Sequence, residues 1–286
     1  MDLENLKIKK IEDVSKLLEK GQLCPEELTR FYLDKIYSDS RSKNVFTSVL
    51  KKSALESAKE SKKRAKIGLR KGVLDGIPIS VKDLADIEGE FTRGGSSLTN
   101  KKKAKNNAVF IDELQSQGVI ILGKTHTVEF ALGATGLNKY RGTPKNPWDE
   151  KIHRMPGGSS SGSAVAVASG LAAFAIGTDT GGSVRIPASL NGIVGLKTTK
   201  NRWPTDGIFP LSPTLDTPGP LARNVKDTKL IFDTYNGSTM NQKPIKVDNM
   251  IFGKLKEPFT SNLDPEVSEA YEIICDKLKN LGTTIE

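Results

Sequence analysis

Apolar residues recur at helical spacing over Ile11 to Lys20 and over Pro25 to Ile36. Val45 to Leu50 reads either as a short strand or as the lead into a charged helix that runs from Lys51 to about Lys66. The pattern then changes period. Ile77, Ile79 and Val81 alternate with Pro78, Ser80 and Lys82, which predicts a strand ending at a lysine. A glycine-containing loop through Gly89, Gly94 and Gly95 leads to a helix over Val109 to Gln117, and Val119 to Lys124 predicts a buried strand. Glu129 to Gly133 opens a polar stretch, Asn138 to Arg154, expected to cover a site. Ala164 to Ala168 predicts a close-packed helix ended by Gly170, and Leu171 to Ile176 a buried strand. Ile193 to Lys197 predicts another strand, and Asp206 to Thr217 a proline-rich loop. Near the end, Met250 to Gly253 predicts a strand, Pro265 to Leu281 a helix, and Thr283 to Glu286 the start of one more strand. Strands alternating with helices define an α/β chain, with no internal repeat.

At 286 residues the chain can bury a substantial core. Its net charge of +9 raises the question of nucleic acid. The basic residues of the helix from Lys51 to Lys66 are interspersed with Glu56 and Glu60, without aromatic interleaving, so a solvated basic surface is expected. The apolar run from Ala164 to Ile176 is broken by Ser169 and Gly170 and is too short to span a membrane. Met1 to Asn5 begins with acids and has no apolar signal core, which sets a cytoplasmic expectation. Cys24 and Cys275 lack metal spacing and are expected to be reduced.

Candidate chemistry lies in two serine turns. In Gly177-Thr178-Asp179-Thr180-Gly181-Gly182-Ser183, two glycines allow a sharp turn with several N–H groups aimed at one spot, an oxyanion site beside a serine. Such a turn is by itself no more than a loop, so the case depends on a base. The second cluster, Gly157 to Ser163, formally contains the G-x-S-x-G elbow at Gly158 to Gly162. That elbow requires a histidine after the serine and a strand before it. The only histidines, His126 and His153, both precede the serines, and Lys151 to Pro156 is polar and ends in proline. His126 is expected to be a satisfied structural histidine. A lysine base remains, and Lys82 stands out because it is embedded in an apolar strand rather than in a solvated cluster.

Lys82 in PISVKD, GGSSSGSA from Gly157 and GTDTGGSVRIPAS from Gly177 together resemble the amidase signature family, which hydrolyses amides with a Ser-Ser-Lys triad. The resemblance runs from about residue 10 to the end. It implies Ser183 as nucleophile, Ser159 as bridging serine after a cis peptide bond at Gly158–Ser159, and Lys82 as base. It further implies oxyanion N–H groups from Thr180, Gly181, Gly182 and Ser183, with Asp179, Arg185 and Ser160 bracing the loop. No metal or cofactor is implied. Ser161 departs from the family pattern, which carries glycine there in many members. The chemistry requires a neutral lysine, and an ordinary lysine of pKa ~10.4 is less than ~1% neutral at pH 8, so burial must lower it.

The resemblance also implies a mixed central sheet covered by helices on both faces. One amidase signature domain over residues 1–286 is expected, with a helical portion at 1–70 and a catalytic core at 71–225. Because family members continue well beyond this point, the C-terminal part is expected to be missing. The expected function is hydrolysis of a carboxylic or urea-type amide. GIFPLSPTLD at 207–216 looks more like the stand-alone bacterial amidases than the glutaminase component of tRNA-dependent amidotransferases. The alternatives are that glutaminase and a non-catalytic remnant. The partner expected is a small-molecule amide, with room for a homodimer, no membrane, and nucleic acid only in the amidotransferase case.

Overall fold

The protein is described here by a computed structural model covering residues 9–99, 102–237 and 246–286. Met1 to Asn5 lie outside the described residues. The chain forms two compact units, Met1–Ser238 and Thr239–Glu286, and the candidate site belongs to the first.

That unit is built on a six-stranded mixed sheet of order β1-β3-β2-β4-β6-β5. The strands are β1 (Phe46–Val49), β2 (Pro78–Lys82), β3 (Ile120–Thr125), β4 (Phe174–Asp179), β5 (Val194–Gly195) and β6 (Thr217–Ala222). β3, β2 and β4 run parallel, whereas β1 and β6 are antiparallel to their neighbours. Every residue of β2, β3, β4 and β6 is buried. Side chains alternate between faces, so complete burial means that both faces are covered.

The helices of this unit are α1 (Ile11–Glu19), α2 (Pro25–Ser38), α3 (Lys51–Lys66), α4 (Val109–Ser116), α5 (Ser161–Ala168), α6 (Arg185–Leu190) and α7 (Val225–Tyr235). Cys24 occupies the N-cap of α2, with Pro25 at its first turn, where a missing N–H costs nothing. On α3, Ala54 and Ala58 pack on Ile120 of β3. α5 is made almost entirely of small side chains and is buried from Ser161 to Val167. It approaches the sheet so closely that a Cβ on Gly162 would stand 2.4 Å from His126 N.

Two elements differ from the sequence expectation. Leu171 to Ala173 is not strand. Gly170, at φ +68°, ends α5 in a Schellman cap: Leu171 N donates to Ala166 O and Gly170 N to Val167 O. The strand therefore starts at Phe174 and extends to Asp179, which carries Thr178 and Asp179 to its carboxyl end.

The other is β6, of sequence TPGPLA, a strand not predicted, which begins at the last residue of the proline-rich loop expected over Asp206 to Thr217. The Pro220 carbonyl accepts from Leu196 N and the Pro218 carbonyl from Thr198 Oγ1. Within a strand a residue's nitrogen and carbonyl share an edge. The two missing N–H groups thus fall on the β5 side, where that strand is only two residues long.

The second unit contains α8 (Pro265–Asn280) and a short parallel pair, β7 (Ile251–Phe252) with β8 (Thr284–Ile285).

Candidate active site

Parallel strands present their carboxyl ends at one edge, and there β2 ends at Lys82, β3 at Thr125 and β4 at Asp179. Lys82 pairs in register with Thr125. The sheet thereby delivers a lysine to an edge that also carries the 180–183 turn.

Lys82 is 1% exposed. Its Nζ lies 2.7 Å from Ser159 Oγ and 2.8 Å from Thr178 Oγ1. Burial pushes its pKa down to about 7, against the pull of the Asp179 and Asp216 carboxylates, which favour the ammonium. At neutral pH the amine is therefore substantially unprotonated, and it touches a hydroxyl able both to give and to accept a proton.

Ser159 comes from the turn that precedes α5. The Gly158–Ser159 peptide is cis, and Val128 N donates to the Ser159 carbonyl at 3.2 Å. Ser160 turns the other way, onto β4. Its hydroxyl donates to Thr178 O at 3.2 Å and accepts from Thr178 N at 3.3 Å. Glycine at 177 makes this possible, since a Cβ there would stand 2.7 Å from Ser160 Oγ. Ser160 N also donates to the Ser183 carbonyl, tying the two serine turns together.

Asp179 is the hub of the second turn. Its carboxylate accepts from Gly182 N at 2.8 Å and Val184 N at 3.2 Å, and Arg185 forms a two-pronged pair with it at 3.0 Å per contact. Burial alone would raise Asp179. Arg185 and the two backbone donors prevail and hold it below the usual carboxylate value. Gly182 adopts φ +128°, a conformation that favours glycine.

Of the four N–H groups singled out in this turn, that of Gly182 is bonded to Asp179, whereas those of Thr180, Gly181 and Ser183 have no hydrogen-bond partner among the described residues. Thr180 is held from the side, its hydroxyl donating to Asp216. Asp216 in turn accepts from Leu211 N and Ser212 N, which fastens the proline-rich 206–217 segment beside the site.

Lys82 and Ser159 are thus in direct contact, and Ser183 is buried one turn away. The Ser183 hydroxyl itself makes no hydrogen bond to a described residue. His126 is buried, bonded through Nδ1 to Ser161 Oγ at 2.7 Å, and kept neutral with a pKa of about 4 by burial. Thr178 and Asp216 were not singled out from the sequence. Thr178 lies inside the GTDTGGS motif, and the signal that finds it is strand alternation: once β4 extends to Asp179, Thr178 is the residue whose hydroxyl reaches the end of β2. Among the described residues, no three His, Cys, Asp or Glu side chains cluster to hold a metal. None of the described helices is long and apolar enough to cross a membrane.

The Amidase family model matches residues 27–286. A 2-amino-5-chloromuconic acid deaminase of Comamonas testosteroni is 43% identical over 217 residues, 75% of this chain and 47% of that protein. The A component of a glutamyl-tRNA(Gln) amidotransferase from Bdellovibrio bacteriovorus is 35% identical over 289 residues, 96% of this chain and 58% of that one. Among solved structures, an amidase superposes with a TM-score of 0.88 at 32% identity, over 97% of this chain and 63% of the other. The native peptide amidase of Stenotrophomonas maltophilia gives 0.85 at 29% identity, over 97% and 61%. The chain spans about half to three-fifths of the length of the curated relatives it matches. A family match over residues 27–286, on a fold shared with solved amidases, shows that this chain belongs to the amidase family.

Proposed function

We propose that the chain carries the serine-dependent machinery of an amide hydrolase, with Ser183 as nucleophile, Ser159 as proton relay and Lys82 as base. The observation that carries this reading is the buried contact between Lys82 Nζ and Ser159 Oγ beside the 180–183 turn. In the reaction, Ser183 Oγ forms a bond to the amide carbonyl carbon, its proton passes to Ser159, and the Ser159 proton passes to Lys82. The oxyanion is received by the N–H groups of Thr180, Gly181 and Ser183, in a place that needs no reorganisation during the step. The C–N bond then breaks, and the leaving nitrogen takes its proton back along the same relay. Water opens the acyl-enzyme by the reverse route, releasing a carboxylic acid and restoring Ser183. Catalytic hydrogen bonds commonly tighten only when substrate is bound, which accommodates the unbonded Ser183 hydroxyl.

The substrate class is a small carboxylic or urea-type amide, and the chemistry uses side chains and backbone alone. A serine-directed fluorophosphonate, with adducts mapped by mass spectrometry, tests the assignment together with ammonia release from a panel of aliphatic, aryl, peptide and urea-type amides. Modification at Ser183 is expected. An adduct at Ser160 with Ser183 untouched would overturn it.

Similarity to the glutamyl-tRNA(Gln) amidotransferase component across 96% of the chain supports a second reading, in which the amide is glutamine and the ammonia goes to a partner protein. Glutamine turnover that appears only with such a partner and tRNA would favour it.

A further inference from the structure

Ser161 and His126 form a buried pair that the proposed relay does not use. The Ser161 hydroxyl and His126 Nδ1 are 2.7 Å apart, and both side chains are closed to solvent. Ser161 lies two residues beyond Ser159, at the first position of α5. The contact pairs the Ser161 hydroxyl with His126 Nδ1, while His126 Nε2 is buried without a hydrogen-bond partner among the described residues.

It belongs to a set of ties between two short segments. Thr125 Oγ1 meets Ser163 Oγ at 2.7 Å. Gly162 N donates to His126 O at 3.1 Å and Val128 N to Ser159 O at 3.2 Å. The first segment, 125–128, starts at the register partner of Lys82, and Asp83 N donates to the Thr125 carbonyl at 2.9 Å. The second segment, 159–163, carries the relay serine. His126 therefore sits in a segment bonded both to the strand that ends in Lys82 and to the turn that presents Ser159.

The geometry points to a positioning role: the His126–Ser161 pair fixes the reach from Ser159 Oγ to Lys82 Nζ and thereby sets the speed of the relay. The inference rests on the relay proposed above. His126 is suited to it as a strut. Burial and the positive charge of Arg141 keep the imidazole neutral, against the Gly142 backbone and the nearby Asp83 carboxylate. A neutral ring holds its neighbour without adding charge beside the base.

The test is the rate at which a fluorophosphonate phosphonylates Ser183, with loss of fluoride, in the wild type, Ser161→Ala, Ser159→Ala and the double variant, with thermal unfolding followed in parallel. Ser161→Ala is expected to slow this labelling ~10- to 100-fold, the scale of a misplaced reacting group, while the protein still unfolds cooperatively. In the Ser159→Ala background the same change is expected to do almost nothing, because the pair acts through Ser159. Ser161→Gly gives the same reading if the alanine variant folds poorly. Labelling of the Ser161 variants at the wild-type rate, or an equal slowing with and without Ser159, would overturn the positioning role. Wild-type labelling of Ser159→Ala alone would instead remove the relay itself, and is read independently.

Discussion

Lys82 Nζ and Ser159 Oγ meet at 2.7 Å across 77 positions of sequence, inside a site where the lysine pKa has fallen to about 7. If this amine is the base, kcat/KM should climb about tenfold per pH unit below that value and level off above it. Lys82→Ala should lower turnover roughly 10²- to 10⁴-fold. A rate that keeps rising toward pH 10 would mean a lysine in water and would remove Lys82 from the mechanism.

The same burial affects stability. Between about pH 7 and pH 10.5 the unfolded chain binds a proton at this lysine that the folded chain does not, so stability rises with pH across that window and is lowest below it. The fall from 10.5 to about 7 corresponds to about 5 kcal/mol, an upper bound. Lys82→Met keeps the side-chain length and loses the charge. It should raise the unfolding temperature at pH 6, with the gain shrinking as pH approaches 10. Equal gains at both pH values would show that packing, not the proton, is responsible.

How far the sequence reached can be followed through these residues. Lys82 was legible because strand alternation placed a lysine among apolar neighbours, and the glycine-serine turns were legible because their composition permits few other conformations. The extent of β4 was not, since an apolar run cannot show whether its first residues cap a helix or enter a sheet. Thr178 was missed as a partner of Lys82 because the apolar run ends at Ile176 and gives no sign that the strand continues to Asp179. β6 was hidden by Pro218 and Pro220, whose absent N–H groups matter only on a fully paired edge. The engagement of Gly182 N–H by Asp179 depends on a side-chain direction that spacing does not encode.

Thr178 is accordingly the clearest residue to probe. Its hydroxyl is the second partner of Lys82 Nζ, at 2.8 Å, and an accepting hydroxyl favours the ammonium. Thr178→Val keeps the shape and deletes that acceptor. The lysine should then lose its proton more readily, so the acid limb of the pH–rate profile should move below pH 7. The plateau rate should fall about tenfold, as the amine is held less firmly toward Ser159. An unmoved limb would show that Thr178 packs there without tuning the base.

Asp179→Asn tests the bracing of the turn. The carboxylate accepts from the backbone N–H groups of Gly182, Val184 and Arg185 and from the Arg185 guanidinium, whereas an amide presents an NH₂ group to some of those donors. Arg185 is half exposed and can recover water, which limits the loss. A destabilisation of about 2–3 kcal/mol is expected in denaturant unfolding. In the wild type the stability due to this lowered carboxyl is present above its ordinary value near 3.8 and lost as pH falls through the folded one. The variant should lack that acid-dependent loss.

Two glycines should respond in opposite ways. A Cβ on Gly162 would stand 2.4 Å from His126 N and 2.6 Å from Val45 O, both backbone atoms that cannot swing aside. A Cβ on Gly181 would meet nothing within 4 Å. Gly162→Ala must therefore push α5 away from the segment after β3, at a cost of about 1–3 kcal/mol by overpacking. Ser159 should be displaced with it. Gly181→Ala should leave stability within about 0.5 kcal/mol. Denaturant unfolding of the two variants decides the matter. Equal stability in both would mean that α5 does not rest as closely on the 125–128 segment as the fold requires, and the ties that place Ser159 beside Lys82 would have to be drawn differently.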